Sequence, residues 1–290
     1  MLIKTIKFGP SGNSDSFYEQ GHKSSIDMPK WLHDMGLNAY EYPCTRGVNI
    51  KRETAQKLGF EAQKHDIFLS IHAPYYINLA AQDQHKQEKN KQYLLDSLQA
   101  AQWMGAKRVV FHPGSCGKLN REKAMDLAIT SLEKILEDAE PFIKQGISLC
   151  PETMGKQNQL GILDEVLYIC SLHESLLPTI DFGHINALGN GSIKSKQDYT
   201  YILDQIQHRL KDERAYKFHV HFSRIEYTKA GEKKHCTLSD IQYGPEFEPL
   251  AELLAERELH PVIVCESRNN MAEDALKLKK IFEEKIHLVN

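Results

Sequence analysis

The sequence predicts a (β/α)8 TIM barrel with a metal site at the C-terminal mouth of its strands. Three observations carry that expectation. Short apolar runs alternate with longer amphipathic ones along all 290 residues. The alternation repeats eight times, as a closed α/β barrel requires. Residues of metal-ligand type end six of the eight strands, and in a barrel those ends meet at one mouth. A doubly wound open sheet shares the periodicity. However, no Gly-x-Gly-x-x-Gly follows the first strand, which removes support for its dinucleotide-binding form. No linker, low-complexity tract or shift in composition divides the chain, so residues 1–290 read as one barrel domain.

In chain order, the first strand runs from Ile3 to Phe8 and is closed by Gly9-Pro10-Ser11-Gly12. A helix over 24–35 carries Trp31, Leu32 and Met35 at helical spacing. The second strand spans 37–42, followed by a helix over 51–65 and a strand over 68–72. A long helix over 84–104 stops at Gly105, and a strand over 108–112 stops at Pro113-Gly114. The remaining pairs are helix 121–139 with strand 147–152, helix 162–171 with strand 177–181, and helix 197–210 with strand 216–222. Helix 247–257, strand 261–266 and a closing helix over 271–285 complete the chain. The stretch Pro178-Thr179-Ile180-Asp181-Phe182-Gly183-His184 shows the rule in miniature. A β-branched pair leads to a carboxylate where the strand stops, Gly183 turns the chain, and an imidazole follows on the loop.

Composition narrows the function classes. At 41% hydrophobic, the chain can bury a large core. A net charge of −3 argues against a bulk electrostatic grip on nucleic acid, while leaving room for a local basic patch or bound cations. The six cysteines include no Cys-x-x-Cys pair, so they read as reduced thiols of a cytoplasmic protein. The segment Met1–Lys7 is too short and too charged for a signal peptide. No apolar run reaches the roughly 18 residues of a membrane span, and no membrane association is expected. Fourteen histidines raise the expectation of metal.

His72, His112, Glu152, Asp181, His221 and Glu266 stand at strand ends, with His184 and His235 on the loops beyond. Neutral imidazoles and carboxylates are good ligands for zinc-like ions. Eight such residues suffice for two sites and a sparsely filled third. Taken singly, a histidine is more often a hydrogen-bonded core or surface residue. His22, His33, His65, His85, His173, His208, His260 and His287, on helices, loops or strand starts, receive that reading. Six strand ends in eight are much harder to obtain by chance. His219 faces the same side of its strand as His221 and reads as support one layer deeper, or as satisfied core. Cys150 stands in the same relation to Glu152 and reads as barrel interior; Cys116 reads as a bystander.

These residues lie in segments that resemble a known family. Ile71-His72-Ala73-Pro74-Tyr75-Tyr76-Ile77-Asn78-Leu79 resembles the third-strand signature of endonuclease IV, the zinc-dependent apurinic/apyrimidinic endonuclease. Phe111-His112-Pro113-Gly114-Ser115 is similar to its fourth-strand motif. Pro151-Glu152-Thr153-Met154 with Gly161 is similar to its Glu-Asn/Thr segment, and Asp181-Phe182-Gly183-His184 to its Asp-Thr-x-His. His221 and Glu266 match the last two strand-end ligands, in family order. The resemblance implies a barrel that binds three zinc ions and hydrolyses the phosphodiester 5′ to abasic sites in double-stranded DNA; two or three ions are expected in this chain, and manganese or iron suits the same donors. It implies that Glu152 bridges two ions, with His72 and His112 on one and Asp181, His221 and Glu266 on the other. His184 and His235 would serve the third, and Glu152 and Glu266 carry the catalytic assignment. A monomer is expected.

The chain departs from the family pattern in two places. Where family members carry Asp-x-His for the third ion, this chain has Gly231-Glu232-Lys233-Lys234-His235, with Lys233 at the Asp position. Its charge is expected to weaken that site unless Glu232 substitutes by a one-residue shift. Ser223-Arg224 replaces the Asn-Asp after the seventh-strand histidine. His221–Tyr227 and Arg46-Gly47-Val48 resemble a side branch of the family. For DNA, the loops offer Arg46, Lys51, Arg52, Lys118, Arg121, Arg224, Lys229, Lys233 and Lys234, beside Tyr75, Tyr76 and Tyr227. Arg46 and Arg224 are the leading candidates for phosphate contact and Tyr75 for the aromatic wedge. Singly, such cations more often keep a protein soluble. Two further readings are a metal-dependent sugar isomerase or epimerase of the same barrel superfamily, and a non-catalytic DNA-damage binding module.

Overall fold

The computed structural model describes residues 6–289, with side chains to residue 286. The predicted strand start at Ile3–Thr5 lies outside the described residues. Eight strands form the barrel: β1 (Lys7–Pro10), β2 (Ala39–Pro43), β3 (Phe68–His72), β4 (Arg108–Phe111), β5 (Ser148–Pro151), β6 (Thr179–Asp181), β7 (His219–Phe222) and β8 (Val262–Cys265). All pair in parallel. One arc runs β1–β8–β7–β6 and the other β2–β3–β4–β5. Single bridges join the arcs, Ser11 to Glu41 at one seam and Glu152 to Thr179 at the other. The ring therefore closes, and the open-sheet alternative is excluded.

The eight outer helices are α1 (Met28–Asp34), α2 (Arg52–Lys64), α3 (Gln84–Met104), α4 (Arg121–Ile143), α5 (Leu163–Ser171), α6 (Lys196–Arg209), α7 (Glu248–Glu256) and α8 (Met271–Val289). Local chemistry sets their ends. Asp83 accepts from the Lys86 N–H and Asn120 from the Lys123 N–H, capping α3 and α4, and Gly105 closes α3 with φ of 73°. The helix predicted from Ser24 divides in two, a 3-10 turn over Ser25–Asp27 and then α1, because Pro29 belongs in a first helical turn. Two short helices, Asp15–Glu19 and Phe182–Leu188, were not expected from the sequence. Among the described residues, no helix is long and apolar enough to cross a membrane.

Period-two alternation sorts each strand. Outward residues such as Leu69, Ile71, Val109, Phe111, Leu149, Ile180 and Phe222 join the helices in one continuous core. Inward rows hold only small apolar clusters, Ala39 with Val262 and Val264, and Val110 with Cys150 and Leu177. Barrel interiors are ordinarily filled by bulky branched residues. Here Glu41, Ser70, Glu152, Thr179, Asp181, His219 and His221 are buried instead.

Candidate metal centre

The inward rows end in one cluster. Glu152 divides its carboxylate between two neighbourhoods. Its Oε2 lies 3.3 Å from His72 Nε2 and 3.2 Å from His112 Nε2. Its Oε1 lies 2.9 Å from His221 Nδ1, and Glu266 Oε2 comes within 3.5 Å of that same nitrogen. Ligand atoms at the strand ends and the loops beyond gather within 4.8 Å of one another in these groups: His72, His112 and Glu152; Glu152, Asp181, His221 and Glu266; and His184, Glu232 and His235, with a further group, His72, His221 and Glu266, overlapping the first two. The first two groups share Glu152. All eight candidate ligands are brought together, and Glu232 joins them as a ninth.

A ligand imidazole must offer a lone pair, so its other nitrogen has to donate. His72 Nδ1–H donates to the Ala73 carbonyl at 2.8 Å, His112 Nδ1–H to the Tyr75 carbonyl at 3.1 Å, and His184 Nδ1–H to the Thr153 carbonyl at 2.9 Å. A carbonyl only accepts, so in the neutral form of each ring the proton is on Nδ1 and the lone pair falls on Nε2, which faces Glu152 in His72 and His112 and Glu232 in His184. His235 rests Nδ1 on Ser223 Oγ at 2.8 Å and turns Nε2 toward Glu232. His221 is reversed, with Nδ1 toward Glu152 and Glu266.

Burial disfavours charge, yet charges persist here because they face one another. Burial would raise the Glu152 carboxyl, but His221, His112 and His72 outweigh it and hold it well below the usual carboxylate range. Burial would lower His72, and the Glu152, Glu41 and Glu266 carboxylates raise it to about 9 instead. His184 is likewise raised to about 9, burial being outweighed by Asp181, Glu152 and Glu232. Asp181 moves the other way. Burial, with Glu266 and Glu152 adding like charge, lifts it above its ordinary value against the pull of His184. Its Oδ1 caps the helix Phe182–Leu188 by accepting from the His184 N–H at 2.7 Å. Its Oδ2 is buried with no hydrogen-bond partner. An unpartnered oxygen on an acid hemmed in by acids fits a cation, and a nitrogen and oxygen donor set without thiolate suits zinc, manganese or iron.

The third group depends on a hairpin, Arg224–Thr228 with Gly231–Cys236, where the sequence predicts loop. In a regular strand, residues three apart face opposite sides. The ladder pairs Glu226 with Lys234 and Tyr227 with Glu232, which leaves Lys233 as the extra residue of a bulge. Glu232 and His235 therefore face the same side. Glu232 Oε2 lies 3.5 Å from His184 Nε2, and its Oε1 3.9 Å from His235 Nε2. Lys233 is carried away to Glu226 at 2.6 Å. Lys233 is thus paired outside the group, and Glu232 stands in the place that the one-residue shift gives it. Gly155 makes room, because a Cβ there would stand 2.8 Å from Glu232 Cβ and 3.0 Å from His184 Cδ2.

A cavity of about 350 Å³ opens over the cluster, lined by ligand residues together with Tyr75 and Lys156. Tyr75 is 55% exposed, and Arg46 is exposed on the loop after β2. Arg224 is a correction. It is only 7% exposed, its guanidinium donates to Glu246 and to the Tyr243 carbonyl, both at 2.5 Å, and it braces the hairpin instead of facing solvent. Arg121 is similarly bound by Glu165 and by the Gln157 and Gln159 carbonyls. Cys116 and Cys150 are buried free thiols outside the three groups. Sequence reasoning misses Lys156, half exposed and 3.8 Å from Glu232, because nothing local marks it beyond its place between Glu152 and Gly161. It also passes over Glu41, for which a carboxylate inside the apolar run 37–42 was the available signal.

Residues 29–285 match a family model described as xylose isomerase-like TIM barrel. The chain is 32% identical over 253 residues to an uncharacterized protein of Methanocaldococcus jannaschii, covering 87% of this chain and 90% of that one. It is 33% identical over 104 residues to a probable endonuclease 4 of Ureaplasma urealyticum, spanning 34% of this chain and 33% of that one. Among solved structures, a D-tagatose 3-epimerase-like protein superposes with a TM-score of 0.74 at 22% identity, covering 98% of both chains. Endonuclease IV from Thermus thermophilus does so at 0.70 and 19% identity, covering 97% of this chain and 99% of that one. At such identities the solved structures speak for the fold. The chain belongs to the xylose isomerase-like TIM-barrel family, as a divergent branch with endonuclease 4 relatives.

Proposed function

We propose that this protein is a zinc-dependent endonuclease that hydrolyses the phosphodiester 5′ to abasic sites in double-stranded DNA. One observation carries the reading: Glu152 joins two ligand groups, and a third group stands beside them at the same open mouth. His72 and His112 complete one ion site with Glu152, and Asp181, His221 and Glu266 the other; His184, Glu232 and His235 form the third. When bound, such ions supply positive charge at phosphoryl oxygens and make a bound water more acidic. The remaining work belongs to the chain. Glu152 holds the shared position without exposure, and Glu266, 16% exposed, faces the mouth. Arg46 and Lys156 offer cations to backbone phosphates, and Tyr75 an aromatic face beside an extruded abasic sugar. The setting we propose is cytoplasmic, in keeping with six free cysteines, and the active form a monomer.

A sugar epimerase is the second reading, favoured by the likeness to the D-tagatose 3-epimerase-like structure. Proton abstraction from a sugar needs a base beside the metal. Among the described residues, both carboxylates lining the mouth, Glu232 and Glu266, belong to ligand groups, which leaves Lys156 as the free base this reading would use. The test is a labelled duplex carrying one abasic analogue. A single nick 5′ to the lesion, abolished by chelation and restored by zinc, is expected. Intact duplex beside turnover of a ketohexose would transfer the assignment to the epimerase.

A further inference from the structure

Beneath the ligand groups lies a second buried cluster that the proposed chemistry does not use. Glu41 sits at the barrel axis with no exposure, and His219, His221 and Ser70 surround it. Glu41 Oε2 lies 3.1 Å from His219 Nε2 and accepts from Ser70 Oγ at 2.8 Å, while its Oε1 lies 2.9 Å from His221 Nε2. Further down, Arg108 reaches His219 Nδ1 at 3.2 Å, and its guanidinium also donates to the Lys217 and Phe218 carbonyls.

The proton positions follow from donor chemistry. A guanidinium has no acceptor, so His219 Nδ1 must accept, and the ring's proton is on Nε2, facing Glu41. Glu41 is then a carboxylate with imidazole N–H groups converging on both oxygens. His72, His112 and His184 rest their non-ligand nitrogen on a backbone carbonyl; His221 alone turns that nitrogen to a buried carboxylate. By strict hydrogen-bond geometry neither His219 Nε2 nor His221 Nε2 has a partner among the described residues, and the Glu41 carboxylate is the acceptor that both approach, at 3.1 and 2.9 Å. The contacts are those of two rings sharing one anion.

Resting on the metal reading above, we propose that Glu41 is a positioning residue. It holds the proton of His221 on Nε2 and so keeps Nδ1 bare for the ion shared with Glu152, Asp181 and Glu266. Arg108 and His219 lock Glu41 in turn, forming a relay from the closed end of the barrel to the metal centre. The two imidazoles and Glu41 could themselves gather round an ion, but the Arg108 cation against the far side of His219 opposes a second cation there. Carboxylate support of a ligand histidine commonly contributes about 10–100-fold to metal affinity.

The variant Glu41→Gln tests the relay. A carboxamide can accept from one ring only, and its NH2 would meet either the fixed Nε2–H of His219 or that of His221. Zinc affinity is measured by chelator competition on the full chain, with circular dichroism as the fold check. One ion should weaken about 10–100-fold while the others keep wild-type affinity; a purely structural loss would weaken all alike. In the zinc-loaded wild-type protein, long-range proton–nitrogen correlation should find the His221 proton on Nε2, a measurement that stands even if the variant fails to fold. Wild-type affinity at every ion in folded Glu41→Gln, a proton on His221 Nδ1, or an ion lodged between Glu41, His219 and His221 would each overturn the proposal. A wild-type chain that takes up no zinc would remove the metal reading itself, and the relay with it.

Discussion

Glu152 concentrates the consequences at the scale of single residues. Its two oxygens serve different groups, so one substitution touches both. Glu152→Gln keeps shape and loses charge. It should cut turnover by more than the ~10²–10³-fold that loss of a single electrostatic contact costs, with circular dichroism unchanged; near-wild-type cleavage would show that no shared ion matters. The third group gives a paired expectation. Glu232→Gln should lower bound zinc by one ion per chain, and Lys233→Ala should not, because Lys233 pairs with Glu226 outside the group. Metal analysis after dialysis distinguishes them, and the opposite pattern would restore the family register at Lys233. The strand-end residues are legible in the sequence because their position depends only on where a strand stops. Glu232 and Arg224 are not, because the roles of both depend on tertiary pairing: one on a bulge in a ladder and the other on an acid 22 residues away.

Among elements, the hairpin is the part most exposed to perturbation. Gly231 closes its tip at φ of 99°, and a Cβ there would stand 2.1 Å from the Gly155 carbonyl oxygen. Gly231→Ala combines backbone strain of about 1–3 kcal/mol with a clash against backbone. It should lower the midpoint of thermal unfolding and reduce third-ion affinity, since Glu232 is the next residue. An unchanged melting curve with full ion content would show that the tip is not braced on Gly155. Strand β3 and helix α3 fall where alternation and capping place them, residue for residue. The hairpin escapes such reading because only its first strand, Arg224–Thr228, alternates, whereas Gly231–Cys236 carries three consecutive charges at Glu232, Lys233 and Lys234 and so shows no period of two. The helix Phe182–Leu188 escapes for another reason. Gly183 suggests a turn, whereas Asp181 caps the helix and a Cβ at Gly183 would stand 2.7 Å from the Ser223 carbonyl oxygen, so the residue serves close packing.

For the whole molecule, the buried polar interior ties stability to protons and metal together. His72 and His184 titrate at about 9 in the metal-free protein, against about 6.5 in an unfolded chain. The raised values mean that their pairing stabilises the metal-free fold fully below pH of about 6.5, and that this contribution is lost as pH rises through about 9. Both rings must give up a proton to bind metal, so loading at pH 7 should release protons and zinc affinity should climb toward pH 9. A weakly buffered titration reads this directly, and zinc uptake without proton release would show the rings already bare. The barrel itself was legible because eight repeats of strand and helix have few other ways to close. Its acidic and basic interior was visible only in part: His219 shows itself by its place two residues before His221, whereas Arg108 and Glu41 look like ordinary strand residues until the ring brings them together. The most direct measurement pairs metal content with cleavage of a duplex bearing one abasic analogue, for the wild-type chain and for Glu152→Gln. Multiple zinc ions per wild-type chain with a nick 5′ to the lesion, and loss of both bound zinc and cleavage in Glu152→Gln, is the expected result. A zinc-loaded wild-type protein that leaves the abasic duplex intact would contradict it.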